Sequence, residues 1–268
     1  MNPFSWLDKM VAVARRDLLT AIRYRTAFLT LVGAAIAELA AFYYLSQAIG
    51  PAFRPQGFDY FPFLMVGTGF YAFLVKGVNA FLTTVADAQQ TGTLEVLMTT
   101  ATPPTLLIFV SAVSAFAGSL LELVLYLVTG LIVFGAPIHP NWLGCAVIFM
   151  LSLGMAVAIG IAAAAVQLAV QKGSAVLWLL GSVTWLLTGT LFPVSSLPKA
   201  LRNLSALIPI THSLDGMRLA LLQGVPFPSL AREIVILALF CLFLLPFSLL
   251  IFSYTLHRAR VEGSLSFY

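Results

Sequence analysis

Six apolar runs dominate the chain, at roughly 26–48, 60–83, 105–133, 142–170, 174–192 and 233–256. A helix that crosses a bilayer needs about 20 apolar residues, so each run predicts one membrane span. The third and fourth runs are each about 29 residues long and are expected to tilt or to project beyond the hydrocarbon. Residues 123–171 carry no formal charge. They divide at Gly135-Ala-Pro-Ile-His-Pro-Asn141, where two prolines and a glycine dictate a turn. The pattern predicts an all-α, polytopic membrane protein with six transmembrane helices.

Three segments break the pattern. In residues 4–24, Leu7, Val11, Ala14, Leu18 and Ile22 share one helical face, while Lys9, Arg16, Thr20 and Arg23 lie opposite. Such a helix lies in the headgroup plane, as a topology anchor or as a mechanical element. The loop 84–104 contains Thr93 to Met98, with helix-forming residues, and ends at Pro103-Pro104. It reads either as a connector or as a short helix at the mouth of the protein. In 193–229, Leu197, Leu201, Leu204 and Ile208 form one stripe and Leu214, Met217 and Leu221 another, with Pro209 between and Gly224, Pro226 and Pro228 as the stop. Two short amphipathic helices of this kind predict a re-entrant or interfacial hairpin, whose backbone must be buried in protein or face water.

Composition narrows the class. Of 268 residues, 60% are hydrophobic and 9% charged, and the mean hydropathy is +1.00. Twenty-four charges cannot cover a soluble domain of this size, which excludes a soluble enzyme, an extracellular module and a disordered tail. The net charge is +4, and five of 14 basic residues fall within the first 25 positions. They read as a cytoplasmic anchor, too few and too close to lipid to make a nucleic-acid surface. With an even number of spans, both termini are expected inside a cell membrane, and Arg258 and Arg260 agree. The run before Ser46-Gln47-Ala48 is longer than a signal-peptide core, so no cleavable leader is expected. Cys145 and Cys241 both sit in apolar runs without a CxxC neighbour, so neither a disulfide framework nor a zinc site is expected.

No GxxxxGK[ST], GxGxxG, GxSxG or HExxH occurs, and Gln171-Lys172-Gly173-Ser174 has the wrong order for a P-loop. His139, His212 and His257 are far apart at span edges and read as interfacial residues. No nucleophile–base pair or metal-ligand set emerges, so no catalytic residue, metal or cofactor is expected on the chain itself.

Three charges fall within spans: Glu38, Lys76 and Glu122. Counted from the inner boundary, they lie about 18, 10 and 26 Å deep at 1.5 Å per residue. A charge there costs about 2.5–3.5 kcal/mol or more, so each must face protein or water. The smaller depth difference, about 8 Å, predicts a Glu38–Lys76 pair between spans 1 and 2. Structural pairing, a substrate pathway and a proton relay are all open to these residues. Ala156, Gly160 and Ala164 repeat every four residues and predict a close helix crossing, within the protomer or at a dimer seam.

Six spans behind a basic amphipathic helix, Thr91-Gly92-Thr93-Leu94-Glu95-Val96-Leu97-Met98-Thr99-Thr100 after span 2, and Leu191-Phe192-Pro193, Leu197-Pro198, Ile208-Pro209-Ile210-Thr211-His212 and Asp215-Gly216-Met217-Arg218 between spans 5 and 6 together form a pattern. It resembles that of ABC-2-type transporter permeases, the membrane subunits of ABC exporters with the type V fold. The chain departs from that pattern at Ile208, where Asn usually precedes the Pro, and at Thr99-Thr100-Ala101.

The resemblance implies domains at 1–25 (a connecting helix), 26–258 (the transmembrane domain) and 259–268 (a cytoplasmic tail). It implies that Gly92, Thr93, Leu94, Glu95 and Leu97 belong to a coupling helix docking on a separate ATP-binding subunit. It implies that Phe192, Pro193, Leu197, Pro198, Pro209, Asp215 and Arg218 belong to an external re-entrant segment. Two copies of the chain would form the pathway, beside two copies of the ATPase carrying ATP and Mg. Glu95 is one of two acids in a loop without basic residues, which suits a basic docking groove. The implied activity is outward movement of a hydrophobic or amphipathic substrate such as a drug, lipid or glycolipid. The competing reading is an ion-coupled secondary transporter using Glu38 and Glu122, against which stands the absence of a repeat between spans 1–3 and 4–6.

Overall fold

A computed structural model describes residues 25–91, 104–170 and 174–262. Eight α-helices occur among them, and no strand. They are α1 (Arg25–Ile49), α2 (Tyr60–Gln90), α3 (Pro104–Phe134), α4 (Trp142–Val170), α5 (Ser174–Leu187), α6 (Lys199–Ala206), α7 (Pro209–Arg218) and α8 (Ala231–Glu262). Leu29–Ile49, Tyr60–Gln90, Trp142–Ala169 and Phe227–Ala259 are long and apolar enough to cross a membrane, and Gly118–Phe134 is a shorter apolar stretch. The amphipathic segment 4–24 and the coupling residues Gly92, Thr93, Leu94, Glu95 and Leu97 lie outside the described residues.

The core is built around α2, which buries one long face from Phe61 to Gln89. α3 and α4 pack along it, α8 packs along α4, and α1 lies against α3 and α2. Aromatic stacking holds the centre: Phe73 lies 5.3 Å from Phe149 of α4 and 5.8 Å from Phe116 of α3 between ring centroids. The stripe of small residues serves this packing. Ala156, Gly160 and Ala164 are buried, and a Cβ on Gly160 would come within 2.5 Å of the Phe81 ring of α2. The close crossing is therefore made within the protomer.

Two helix ends differ from those read from the sequence. α2 runs on to Gln90 rather than stopping near Thr83, because Ala86-Asp87-Ala88-Gln89-Gln90 keeps helical propensity after the apolar run has ended. α5 stops at Leu187 rather than 192. Gly189 takes φ +74°, a left-handed conformation that ends the helix and turns the backbone toward α7.

The two short helices expected in 193–229 are α6 and α7, which form a hairpin between α5 and α8, with Pro198 before α6 and Pro209 at the first position of α7, where its missing N–H costs nothing. α7 continues into a π-helical turn, Leu219–Gln223, closed by Gly224 at φ +59°. That turn frees carbonyls, and the α3–α4 connection takes them: His139 N–H donates to Leu221 O (3.1 Å) and Asn141 N–H to Ala220 O (2.8 Å). The Asn141 side chain donates to Val225 O (2.8 Å) and accepts from Gly144 N–H (3.2 Å) at the start of α4. Gln56, from the α1–α2 connection, donates to Asp215 of α7 (3.2 Å). Thus α1–α5 and α8 all present one end to the same hairpin.

Candidate functional site

Two polar constellations lie within the apolar bundle. One is a clamp centred on α7, at the end of the bundle. The α7 side chains pack inward, and Arg218 is fully buried. Its Nε donates to Phe63 O (3.3 Å), Nη1 to Gly189 O (3.0 Å) and Nη2 to Thr190 O (3.0 Å). The guanidinium carbon sits 3.5 Å from the centroid of the Phe63 ring, and Asp215 Oδ1 lies 3.8 Å from Nη1. A buried cation is tolerated because its donor fork meets three carbonyls, an aromatic face and a carboxylate. Burial lowers the Arg218 pKa to about 10, with Asp215 opposing the shift, so the side chain remains charged at neutral pH. Burial also raises the Asp215 carboxyl, against the pull of Arg218 and the Gln56 hydrogen bond.

One turn earlier, His212 Nδ1 lies 2.7 Å from Glu233 Oε2 of α8, and Nε2 lies 3.0 Å from Ala206 O. Both residues are buried. A carbonyl oxygen only accepts, so Nε2 carries a proton; Nδ1 and the carboxylate then share another. The hydrogen bond to Glu233 accordingly raises the His212 pKa above 6.5, outweighing burial. The sequence reads His212 as an interfacial residue at a span edge and gives no partner for it. The structure corrects this: His212 is buried, and its contact with Glu233 fastens α7 to α8. Their separation of 21 residues has no periodic signature.

Of the other residues assigned to this segment, Phe192 and Pro193 follow the Gly189-Thr190 corner, and Leu197 and Pro198 lead into α6. Tyr60 donates to Leu191 O (3.2 Å), and Ser205 of α6 donates to Leu187 O at the end of α5. The segment is thereby tied to α2, α5 and α8 together.

The second constellation lies halfway along the helices. Glu38 of α1, Lys76 of α2 and Glu122 of α3 line one cavity of about 170 Å³. The expected Glu38–Lys76 pair is not the one formed: Lys76 Nζ makes its ion pair with Glu122. Along the described helices, Lys76 lies about 21 Å from Gln90, Glu122 about 27 Å from Pro104 and Glu38 about 20 Å from Arg25. Depth therefore does not choose between the two acids; the contact follows from α2 packing mainly along α3 rather than α1. Glu38 stays within Coulombic reach of Lys76 and of Tyr126. At the cavity floor, Thr68 donates to Leu64 O (2.8 Å), so the Tyr126 hydroxyl, 3.0 Å away, is the donor to Thr68. Tyr126 and Thr68 both line the cavity. No group of three or more His, Cys, Asp or Glu suited to a metal occurs among the described residues.

No curated protein matches the chain. A family model described as ABC-2 type transporter matches residues 9–222, from the basic N-terminal segment to the π-helical turn after α7. The match takes in Glu38, Lys76 and Glu122, the segment around Gly92–Leu97 and the α6–α7 hairpin in one stretch. With four helices fit to cross a bilayer among the described residues and a family match over most of its length, this chain belongs to the ABC-2 type transporter family and is a multi-pass membrane permease.

Proposed function

We propose that the chain is the membrane half of an ABC exporter, with six spans and both termini on the cytoplasmic side. It moves a hydrophobic or amphipathic substrate outward, with ATP and Mg held by a separate ATP-binding subunit. Permeases of this family normally pair with such a subunit. Two copies of this chain and two of the ATPase make the working unit. The segment around Gly92, Thr93, Leu94, Glu95 and Leu97 docks on the ATPase. The α6–α7 hairpin forms the outer closure. ATP binding biases the ATPase arrangement, and docking passes that bias to the spans.

The observation carrying this reading is the continuous family match over residues 9–222. The convergence of six helix ends on the α6–α7 hairpin supports it, because a rigid cap at one end leaves the opposite end to receive the drive. The ion-coupled alternative with Glu38 and Glu122 as relay partners is not favoured, since Glu122 is committed to Lys76.

The test is co-expression with an ATP-binding subunit encoded beside this chain. Co-purification, and ATP hydrolysis that rises when the permease is present in lipid, are expected. Uphill flux by the permease alone in sealed vesicles, driven by a cation gradient, would overturn the reading.

A further inference from the structure

The cavity between α1, α2 and α3 holds two carboxylates and one ammonium. Lys76 is ion-paired with Glu122, which among the described residues leaves Glu38, about 20 Å along α1 from Arg25, with no ion pair of its own and only a share of the Lys76 charge. A charge at that depth is stabilised by a counter-charge or water. Beside it the cleft is apolar, with Leu31, Ala34 and Ala35 of α1 and Leu123 and Leu125 of α3. Gly69 and Ala72 of α2 are also in the lining. The neutral polar groups lining it among the described residues are the hydroxyls of Thr68, Ser119 and Tyr126.

From this we infer that the cleft binds the ammonium group of a cationic amphiphile, with Glu38 as its counter-ion and the Lys76–Glu122 pair setting the local charge. The inference rests on the permease reading and narrows its substrate class. An apolar wall beside a single net negative charge suits an organic cation with a hydrocarbon body. A small hydrated metal ion would find too few oxygen ligands here. An anion would have to displace Glu122 from Lys76. The ammonium would lie against Glu38 and the Tyr126 oxygen, and its chain would run along α1 and α3 toward the open flank. Lys76 lowers the affinity of the empty site, so the ligand is held strongly enough to enter and weakly enough to leave.

The test uses the full chain in nanodiscs of phosphatidylglycerol, a lipid without an amine, with empty discs subtracted. The probe is a dansyl-labelled alkyl trimethylammonium, compared with the same chain ending in a hydroxyl. Saturable binding of the ammonium probe alone is expected. Glu38→Gln should weaken it roughly tenfold, and Lys76→Met should tighten it by a similar factor, because it leaves two carboxylates facing the ligand. Lys76→Met keeps the test decisive if Glu38→Gln folds poorly, since a gain in affinity does not arise from misfolding. Competition by added phosphatidylethanolamine would assign the ammonium to a lipid headgroup, and its absence to a free amphiphile. Equal binding of the charged and neutral probes overturns the proposal, as does unchanged binding in Glu38→Gln or no gain in Lys76→Met. The assay needs no ATPase, so failure to stimulate a partner ATPase would count against the permease reading and leave this site standing.

Discussion

Arg218 and Phe63 meet face to charge at the heart of the hairpin, with the guanidinium carbon 3.5 Å from the ring centroid and no part of Arg218 exposed. Phe63 also offers its carbonyl to Arg218 Nε, so one residue of α2 holds both the π face and an acceptor. Lysine keeps the charge but loses the planar fork that reaches Phe63, Gly189 and Thr190 together. Arg218→Lys should therefore destabilise the protein by about 3 kcal/mol, and Arg218→Gln by at least as much. Thermal unfolding in nanodiscs checks this; a lysine variant that melts with the wild type would show that the three carbonyl contacts contribute little.

The same clamp depends on a missing side chain. A Cβ added to Gly67 would run into the Arg218 guanidinium and come within 2.7 Å of Thr190 O. The guanidinium cannot retreat without releasing its carbonyls, and Thr190 is held as backbone. Gly67→Ala is expected to cost about 2–3 kcal/mol through overpacking. Gly33 of α1 is the control, with nothing within 4 Å of its would-be Cβ. Gly33→Ala should be neutral or slightly stabilising, since alanine favours a helix by about 1 kcal/mol. Paired melting curves distinguish a specific clash from a general intolerance of alanine.

The His212–Glu233 contact predicts a pH-dependent cap. The folded-state pKa of His212 is raised above 6.5. Its contribution to stability is therefore complete below about pH 6.5 and is lost as pH rises through the folded value. At high pH the neutral ring can donate through only one nitrogen, and Glu233 is left buried beside it. The melting temperature should fall over that interval, and Glu233→Gln should flatten the fall. His212→Ala should cost about 3 kcal/mol at acidic pH, where the pair is intact. A wild-type profile that is flat from mildly acidic to alkaline pH would contradict this account.

Much of this architecture can be read from the chain because its connections carry strong punctuation. Helices begin at Tyr60 and Trp142, where the sequence predicts span starts, since Pro, Gly and Asn residues interrupt the preceding backbone. What sequence reasoning missed follows from the same apolar richness that revealed the spans. When nearly every position is apolar, periodicity no longer says which face is buried, so the partner of Lys76 had to be guessed from depth. Depth does not decide it, since Glu38 and Glu122 both fall within a lysine stem's length of Lys76 along the helices; the lateral packing of α2 on α3 does. Arg218 was legible as a motif residue, but its three carbonyl partners are backbone groups, which no side-chain pattern encodes. The His212–Glu233 bond joins two elements whose contact exists only after the hairpin has folded back.

Residues 84–104, the end of α2 and the segment leading to α3, contain Asp87 and Glu95 and no lysine or arginine, so they carry two formal negative charges. If they dock on an ATPase, association with a basic groove should be steered by those charges and should weaken as salt rises, since exposed charges are screened over about 8–10 Å near physiological ionic strength. Glu95→Arg reverses one charge within the proposed contact. It should reduce co-purification of the ATPase and cut stimulation of its ATP hydrolysis by roughly tenfold, while leaving the melting temperature of the permease unchanged. The complementary change, a basic residue of the ATPase groove turned to glutamate, should restore coupling with the Glu95→Arg permease and impair it with the wild type. Such charge-swap rescue separates a docking contact from a connector that merely tolerates or resists substitution. Normal coupling by Glu95→Arg at both low and high salt would remove Glu95 from the interface.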